Sequence, residues 1–468
     1  METVLPFRAW RYGPNAGDPD LLVAPPYDVI GPELQSRLYA RSRHNVVRVD
    51  LGMDTPSDSP CDNRYTRAAA QLAEWKKSGV LLRDQAPTLT FVQEEFTGPD
   101  GRARVRHGFL AALRIHDFSE GIVYPHEQTF SSPKADRWAL VDTTAMSLSP
   151  VFLLYDLPGD PITAAWSAGP GARPPATTIT GDDGTITKLW PTSDPALLEV
   201  GAQSLDDSRF IIADGHHRYE TALNYRDHMR EQAMEERVGE AGSAAKGAGG
   251  NGAADGGADP AAAPAYDYVL AYLSNMADPG LAIYATHRLV AGVDEERLAA
   301  LPRTLAGDFA VEPLAPAAAG APGARAAVER YLGEHPRGAF GVWAPAAAVV
   351  CGLRLLDGGA ATAATPGHTA AYQQLDVNVL QRLILEPGLG IPSEGTETEG
   401  RITYFKDAAD AFERLEKGEF QAGFFMNPTG LEQVREVALA GERMPQKATF
   451  FYPKLPTGLV FQDLSGSL

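Results

Sequence analysis

The chain has 468 residues, with 41 Lys and Arg against 60 Asp and Glu, a formal net charge of −19 and a pI near 5.0. That acidic balance argues against general nucleic-acid binding, which leaves a basic footprint, and against docking on anionic lipid. Two cysteines, Cys61 and Cys351, are too few for a disulfide framework or a multi-cysteine zinc site, and the composition fits a reducing cytoplasm.

The first eleven residues carry Glu2, Arg8 and Arg11 and no apolar run of signal-peptide length. The longest apolar stretches, such as 151–155, fall far short of the roughly 20 residues that span a bilayer. A soluble, cytoplasmic protein is expected. Ala24-Pro25-Pro26-Tyr27-Asp28-Val29-Ile30 reads as a rigid extended segment feeding a strand. Residues 66–77 space apolar side chains helically, end on Lys76 and Lys77, and have Gly79 beyond as a stop. Residues 88–92 and 108–115 read as strands.

Tyr124-Pro125-His126-Glu127-Gln128-Thr129 runs on to Pro133-Lys134-Ala135-Asp136-Arg137. Two prolines predict a constrained loop, and loops that gather ionisable groups are where binding and catalysis concentrate. A Glu there can serve as a general base; a solvated charged turn is the plainer reading. The zinc-protease pattern is excluded because Phe130 stands where a second His is required.

Residues 149–155 form a further apolar run, 209–213 a short buried strand, and 219–238 a helix with Tyr219, Leu223, Arg226, Met229 and Ala233 along one stripe. Between strand and helix lies Asp214-Gly215-His216-His217-Arg218. Asp214 is placed to cap the helix and Gly215 to make a tight turn at positive φ. His216, His217 and Arg218 then occupy the first helical turn, beside free N–H groups that attract anions. Basic side chains are otherwise unfavourable there, so the cluster asks for a ligand or for acidic partners. Two adjacent histidines are too few for a metal site.

Residues 239–264, rich in Gly and Ala without aromatic or branched aliphatic residues, read as a disordered insertion. Its GxGxxG match at 247–252 follows no strand and is chance. Thr286-His287-Arg288 ends an apolar run, and 313–327 looks like a linker. Near the C-terminus, Lys447 and Lys454 flank aromatics, as either a cationic cluster or an aromatic core with solvated lysines. The alternation of strands and helices is that of an α/β or α+β protein.

Taken in order, these segments resemble the family known as domain of unknown function family 1015, over nearly the whole chain. The resemblance is carried by Pro25-Pro26-Tyr27-Asp28-Val29-Ile30, Asn45-Val46-Val47-Arg48, the Pro125–Thr129 and Pro133–Arg137 segments, and Ala213 to Ala222. Thr286-His287-Arg288, Leu375-Asp376-Val377, Met444-Pro445-Gln446-Lys447 and Tyr452-Pro453-Lys454 complete it. The 239–264 insertion looks like a private addition, and Trp138 stands where an aliphatic residue is expected. The Asp-Gly-His-His-Arg element also resembles the phosphate-binding box of ParB/sulfiredoxin-type folds, which include free-serine kinases.

The resemblance implies an α/β (mixed α+β) fold with a ParB/sulfiredoxin-like core at 96–300, an N-terminal region at 1–95 and a C-terminal α/β region at 301–468. Carried over, Glu127 would be the base and Asp214 the second catalytic group, with His216, His217 and Arg218 holding the donor. Tyr27, Asp28, His126 and Thr129 would contact the substrate. Lys134, Arg137, His287, Arg288, Lys447 and Lys454 would suit a highly charged donor such as pyrophosphate, which the family's link to a serine kinase brings in. The implied activity is a phosphotransferase acting on a small hydroxylated metabolite, above all free L-serine, with pyrophosphate or a nucleotide as donor and Mg²⁺ as cofactor. A ParB-like nucleotide switch without turnover and a phosphate-ester hydrolase are the alternatives. The expected partners are small molecules, with no nucleic acid and no membrane.

Overall fold

Among the described residues, apolar runs pair into two large sheets and three two-stranded ones, and amphipathic helices pack on the large sheets. The computed structural model describes residues 3–128, 131–244, 263–316, 320–392 and 400–468. The chain divides into two units: Met1–Tyr124, Thr129–Leu281 and Pro453–Leu468 form the first, and Pro125–Gln128 with Ala282–Tyr452 form the second. The fold is mixed α+β. The boundaries expected at 95/96 and 300/301 fall inside the strand Leu89–Thr97 and the helix Glu295–Thr304.

Among the described residues, the first unit holds a nine-stranded sheet. Its order is Val123–Tyr124, Phe210–Asp214, Val151–Tyr155, Tyr268–Asn275, Ala103–Arg114, Leu89–Thr97, Ile186–Thr192 and Thr177–Thr180, with Val4–Leu5 also on Ala103–Arg114. Phe210–Asp214 runs parallel to Val123–Tyr124, and Tyr268–Asn275 parallel to Val151–Tyr155; the other pairs are antiparallel. Val151–Tyr155 and Tyr268–Asn275 are buried at every position, as central strands covered on both faces must be. Phe91, Phe109, Trp166, Trp190, Leu205 and Phe210 form much of the core. The helix Arg64–Ser78 matches the expected 66–77. Its start is fixed by Asn63, whose side chain accepts from the Tyr65 and Thr66 N–H groups while Thr66 answers in a capping box.

The second unit carries a six-stranded antiparallel sheet ordered Phe309–Pro313, Val349–Leu355, Ala339–Ala344, Ala422–Met426, His287–Val290 and Ile402–Phe405. Helices Gly320–Glu334 and Ala408–Glu416 pack on it through Val328, Tyr331, Phe412 and Leu415.

Three local expectations are corrected. Residues 131–144, whose first half was expected to be loop, form the helix Ser131–Thr144. Proline is tolerated at its third position because the N–H it lacks has no intrahelical partner there. The expected linker 313–327 is in part the helix Gly320–Glu334, because alanines at helical spacing bury Ala321, Ala324 and Ala327. The helix His216–Ala244 runs six residues into the expected disordered insertion; the rest, 245–262 with the GxGxxG match, lies outside the described residues. Among the described residues, no helix is long and apolar enough to cross a membrane.

Candidate functional site

The strand Phe210–Asp214 reaches its end through a bulge between Ile212 and Asp214, which re-aims the last side chain. Gly215 follows at φ +91°, a conformation that side chains disfavour. Its carbonyl accepts the Tyr219 N–H at 3.0 Å, so the helix begins at His216. A Cβ on Gly215 would lie 2.9–3.0 Å from the Arg218 guanidinium, which therefore rests against a bare α-carbon.

Asp214 was expected to cap this helix; its carboxylate engages two cations. Its Oδ2 accepts Arg218 Nη2 at 2.7 Å, and its Oδ1 accepts the Lys454 ammonium. Charge-assisted bonds of this kind are roughly twice as strong as neutral ones. Burial alone would raise the Asp214 carboxyl, but Lys454 and Arg218, with His216 adding to them, hold it well below the usual range. Arg218 Nη1 also donates to Ser149 Oγ at 2.9 Å and to the Pro150 carbonyl, while its Nε is buried without a partner. The arrangement places Arg218, Lys454 and the buried His216 around a single carboxylate at a helix N-terminus. Sequence reasoning missed Ser149; its only signal was a hydroxyl directly before Pro150 at the start of an apolar run.

A second cluster in the same unit surrounds Arg137. Its guanidinium is buried, donating to Asp50 Oδ1 at 2.9 Å, the Asp50 carbonyl at 2.8 Å and Asp136 Oδ2 at 2.6 Å, and it lies 4.1 Å from the Tyr27 ring centroid. Burial pushes the Tyr27 hydroxyl up to about 12 against the pull of Arg137 and Arg218. Burial likewise raises Asp50, more than Arg137 lowers it. Asp50, another residue not singled out from sequence, joins Arg137, Ser149, Arg218, Thr221 and Tyr225 around a cavity of about 60 Å³. Lys134, on Ser131–Thr144, meets Glu220 of the neighbouring helix at 2.9 Å. Asp28 is exposed.

The remaining expected residues fall in the second unit, apart from Thr129, which lies outside the described residues. His126 is buried, with Nε2 2.9 Å from Thr449 Oγ1, and its carbonyl accepts the Met444 N–H at 2.7 Å. Glu127 is half-buried and bridges to Met444. Arg288 is buried, donating to the Thr286 carbonyl and, at 3.3 Å, to that of Lys447. Burial lowers it to about 10 against the opposing pull of Tyr404 and Glu127. Burial, then Arg288, lowers His287 to about 4, so its imidazole is neutral at pH 7. Lys447 is exposed, at φ +56°. The structure thus gathers Tyr27, Lys134, Arg137, Asp214, His216, His217, Arg218 and Lys454 in one unit, and His126, Glu127, His287, Arg288 and Lys447 in the other.

Among the described residues no group of three or more His, Cys, Asp or Glu stands ready to hold a metal ion. No curated protein matches the sequence. Solved structures similar to the chain include a free serine kinase in complex with AMP, at 15% identity and TM-score 0.33, covering 74% of this chain and 88% of that one. A conserved hypothetical protein from Pyrococcus furiosus aligns at 14% identity and TM-score 0.31, covering 72% and 90%. SbnI with C-terminal truncation from Staphylococcus aureus aligns at 9% identity and TM-score 0.32, covering 77% and 87%. The family model described as protein of unknown function (DUF1015) matches residues 4–378, most of the chain, and the chain belongs to that family.

Proposed function

We propose that the protein is a phosphotransferase acting on a small hydroxylated metabolite, with free L-serine as acceptor and pyrophosphate or a nucleotide as donor. The observation that carries this reading is the surplus of positive charge at the start of the helix His216–Ala244, where Arg218, Lys454 and His216 face the single carboxylate of Asp214. A donor phosphate would meet the positive end of the helix there, with charge-assisted bonds from Arg218 and Lys454. The same cations would stabilise charge developing on the transferring group. Glu127 keeps the role of base that the family resemblance implies: it takes the acceptor's hydroxyl proton as the new O–P bond forms and the donor's bridging P–O bond breaks. Magnesium would arrive on the donor's phosphates and keep most of its waters, since that ion seldom relies on an all-protein cage.

Phosphorus NMR of the protein with Mg²⁺ and L-serine, given pyrophosphate, ADP or ATP separately, tests the proposal. A serine-dependent phosphomonoester signal that disappears with Asp214→Ala is the expected result. Donor loss without serine would replace the kinase by a hydrolase, and nucleotide binding without turnover would replace it by a switch.

A further inference from the structure

We propose that the buried Glu94–Arg106 pair is a positioning device: it grips the carbonyl of Pro453 and so sets Lys454 against Asp214. The claim about Lys454 stands on the geometry alone; only its effect on phosphate binding rests on the proposed function.

Glu94 and Arg106 face each other across the strands Leu89–Thr97 and Ala103–Arg114, and both are wholly buried. Arg106 donates to Glu94 Oε2 through Nε at 2.8 Å and Nη2 at 2.6 Å, and the Tyr272 hydroxyl donates to the same oxygen at 3.3 Å. Gly108 makes this possible, because a Cβ there would lie 2.5 Å from the Tyr272 ring. The guanidinium lies 4.9 Å from the Phe152 centroid and 5.6 Å from that of Tyr272. Phe152 is also the strand partner of Asp214.

Such a pair is a poor source of stability, since well-packed apolar residues usually serve as well or better. Glu94 Oε1 and Arg106 Nη1 are even left without partners. The pair does make one bond beyond its sheet: Arg106 Nη2 donates to the Pro453 carbonyl at 2.9 Å. The other side of Lys454 is fixed as well. Thr457 exchanges backbone bonds with Ala24 at 2.8 and 3.2 Å, and its hydroxyl lies 3.0 Å from Ser149 Oγ, the atom that accepts Arg218. A lysine ammonium rides on a flexible four-carbon stem, so anchoring its backbone removes much of the freedom that the ion pair would have to restrict.

The test uses the full chain carrying Glu94→Leu together with Arg106→Met, which removes both charges at once and leaves neither buried alone. Lysine acetylation by N-hydroxysuccinimidyl acetate is followed by mass spectrometry, with the exposed Lys77 as internal control. The double variant should melt cooperatively, with Lys454 labelled several-fold faster than in the parent and Lys77 unchanged. Pyrophosphate should bind about tenfold more weakly, equivalent to about 1.4 kcal/mol. A parent-like Lys454 rate in the folded variant overturns the inference. If the double variant does not fold, Tyr272→Phe removes only the hydroxyl on Glu94: a smaller rise in the Lys454 rate supports the device, and an unchanged rate overturns it. Failure of the parent to bind pyrophosphate, ADP and ATP alike would instead refute the proposed function, with labelling still deciding the role of the pair.

Discussion

Acidification should weaken the second unit through His287, by an amount its burial sets. His287 opens the strand His287–Val290, is 8% exposed, and packs 5.1 Å from the Phe425 ring centroid. Burial, then Arg288, takes its imidazole from 6.5 to about 4. Because the folded value lies below the unfolded one, the unfolded chain takes up the proton first as pH falls. The stabilisation is complete above the unfolded value and drains away between 6.5 and about 4. At about 1.4 kcal/mol per unit, the loss by pH 4 is about 3 kcal/mol. Hydrogen exchange of His287–Val290 and Ala422–Met426, corrected for intrinsic rates, reads the opening free energy of this unit between pH 7 and 4.5. His287→Asn, whose amide does not titrate, supplies the reference. The parent should lose about 2–3 kcal/mol more than the variant across that range. Parallel curves would refute the reasoning. A parent that gains relative to the variant on acidification would show a charged His287, as its expected role in holding a phosphate donor requires.

Three further outcomes follow from the first unit and from Glu127. Gly215→Ala must hold a side chain at φ +91° and displace the Arg218 guanidinium; a loss of about 1–3 kcal/mol in urea titration, with weakened pyrophosphate binding, is expected. Asp214→Asn leaves Lys454 and Arg218 facing each other without their carboxylate and should cost about 3–5 kcal/mol, part of it recovered by adding Lys454→Met. Glu127→Gln should abolish phosphoryl transfer at an unchanged melting temperature, and retained turnover would remove the residue from the role of base.

Where a local signal specified an element, the sequence was legible. The strand expected at 209–213 is Phe210–Asp214, and the helix expected over 66–77 is Arg64–Ser78. The junction between strand and helix, with its glycine at positive φ, also lies where the Asp-Gly dipeptide put it. What escaped was long-range pairing. Nothing within five residues of Asp214 says that a lysine 240 positions away will take its carboxylate; capping was all that the local sequence could suggest. Arg137 shows the same limit. Its charge suggested a phosphate ligand, yet Asp50, 87 positions earlier, and Asp136 engage its guanidinium. The linker expected at 313–327 failed differently, because alanine reads as loosely packed chain until Val328 and Tyr331 supply the apolar stripe beside it.

The order of synthesis gives the proposed anion site a clock. Residues 282–452 of the second unit are inserted between the strand Tyr268–Asn275 and the returning segment Pro453–Leu468. A growing chain therefore carries Asp214 and Arg218 while Lys454 has yet to be made. At about 5–20 residues per second, the interval is roughly 10–50 s. Throughout it the carboxylate has Arg218 but not Lys454, and the surplus of positive charge at the helix start is not yet complete. Arrival of the returning segment supplies that last charge, so the proposed anion affinity would be a late event in the birth of the molecule.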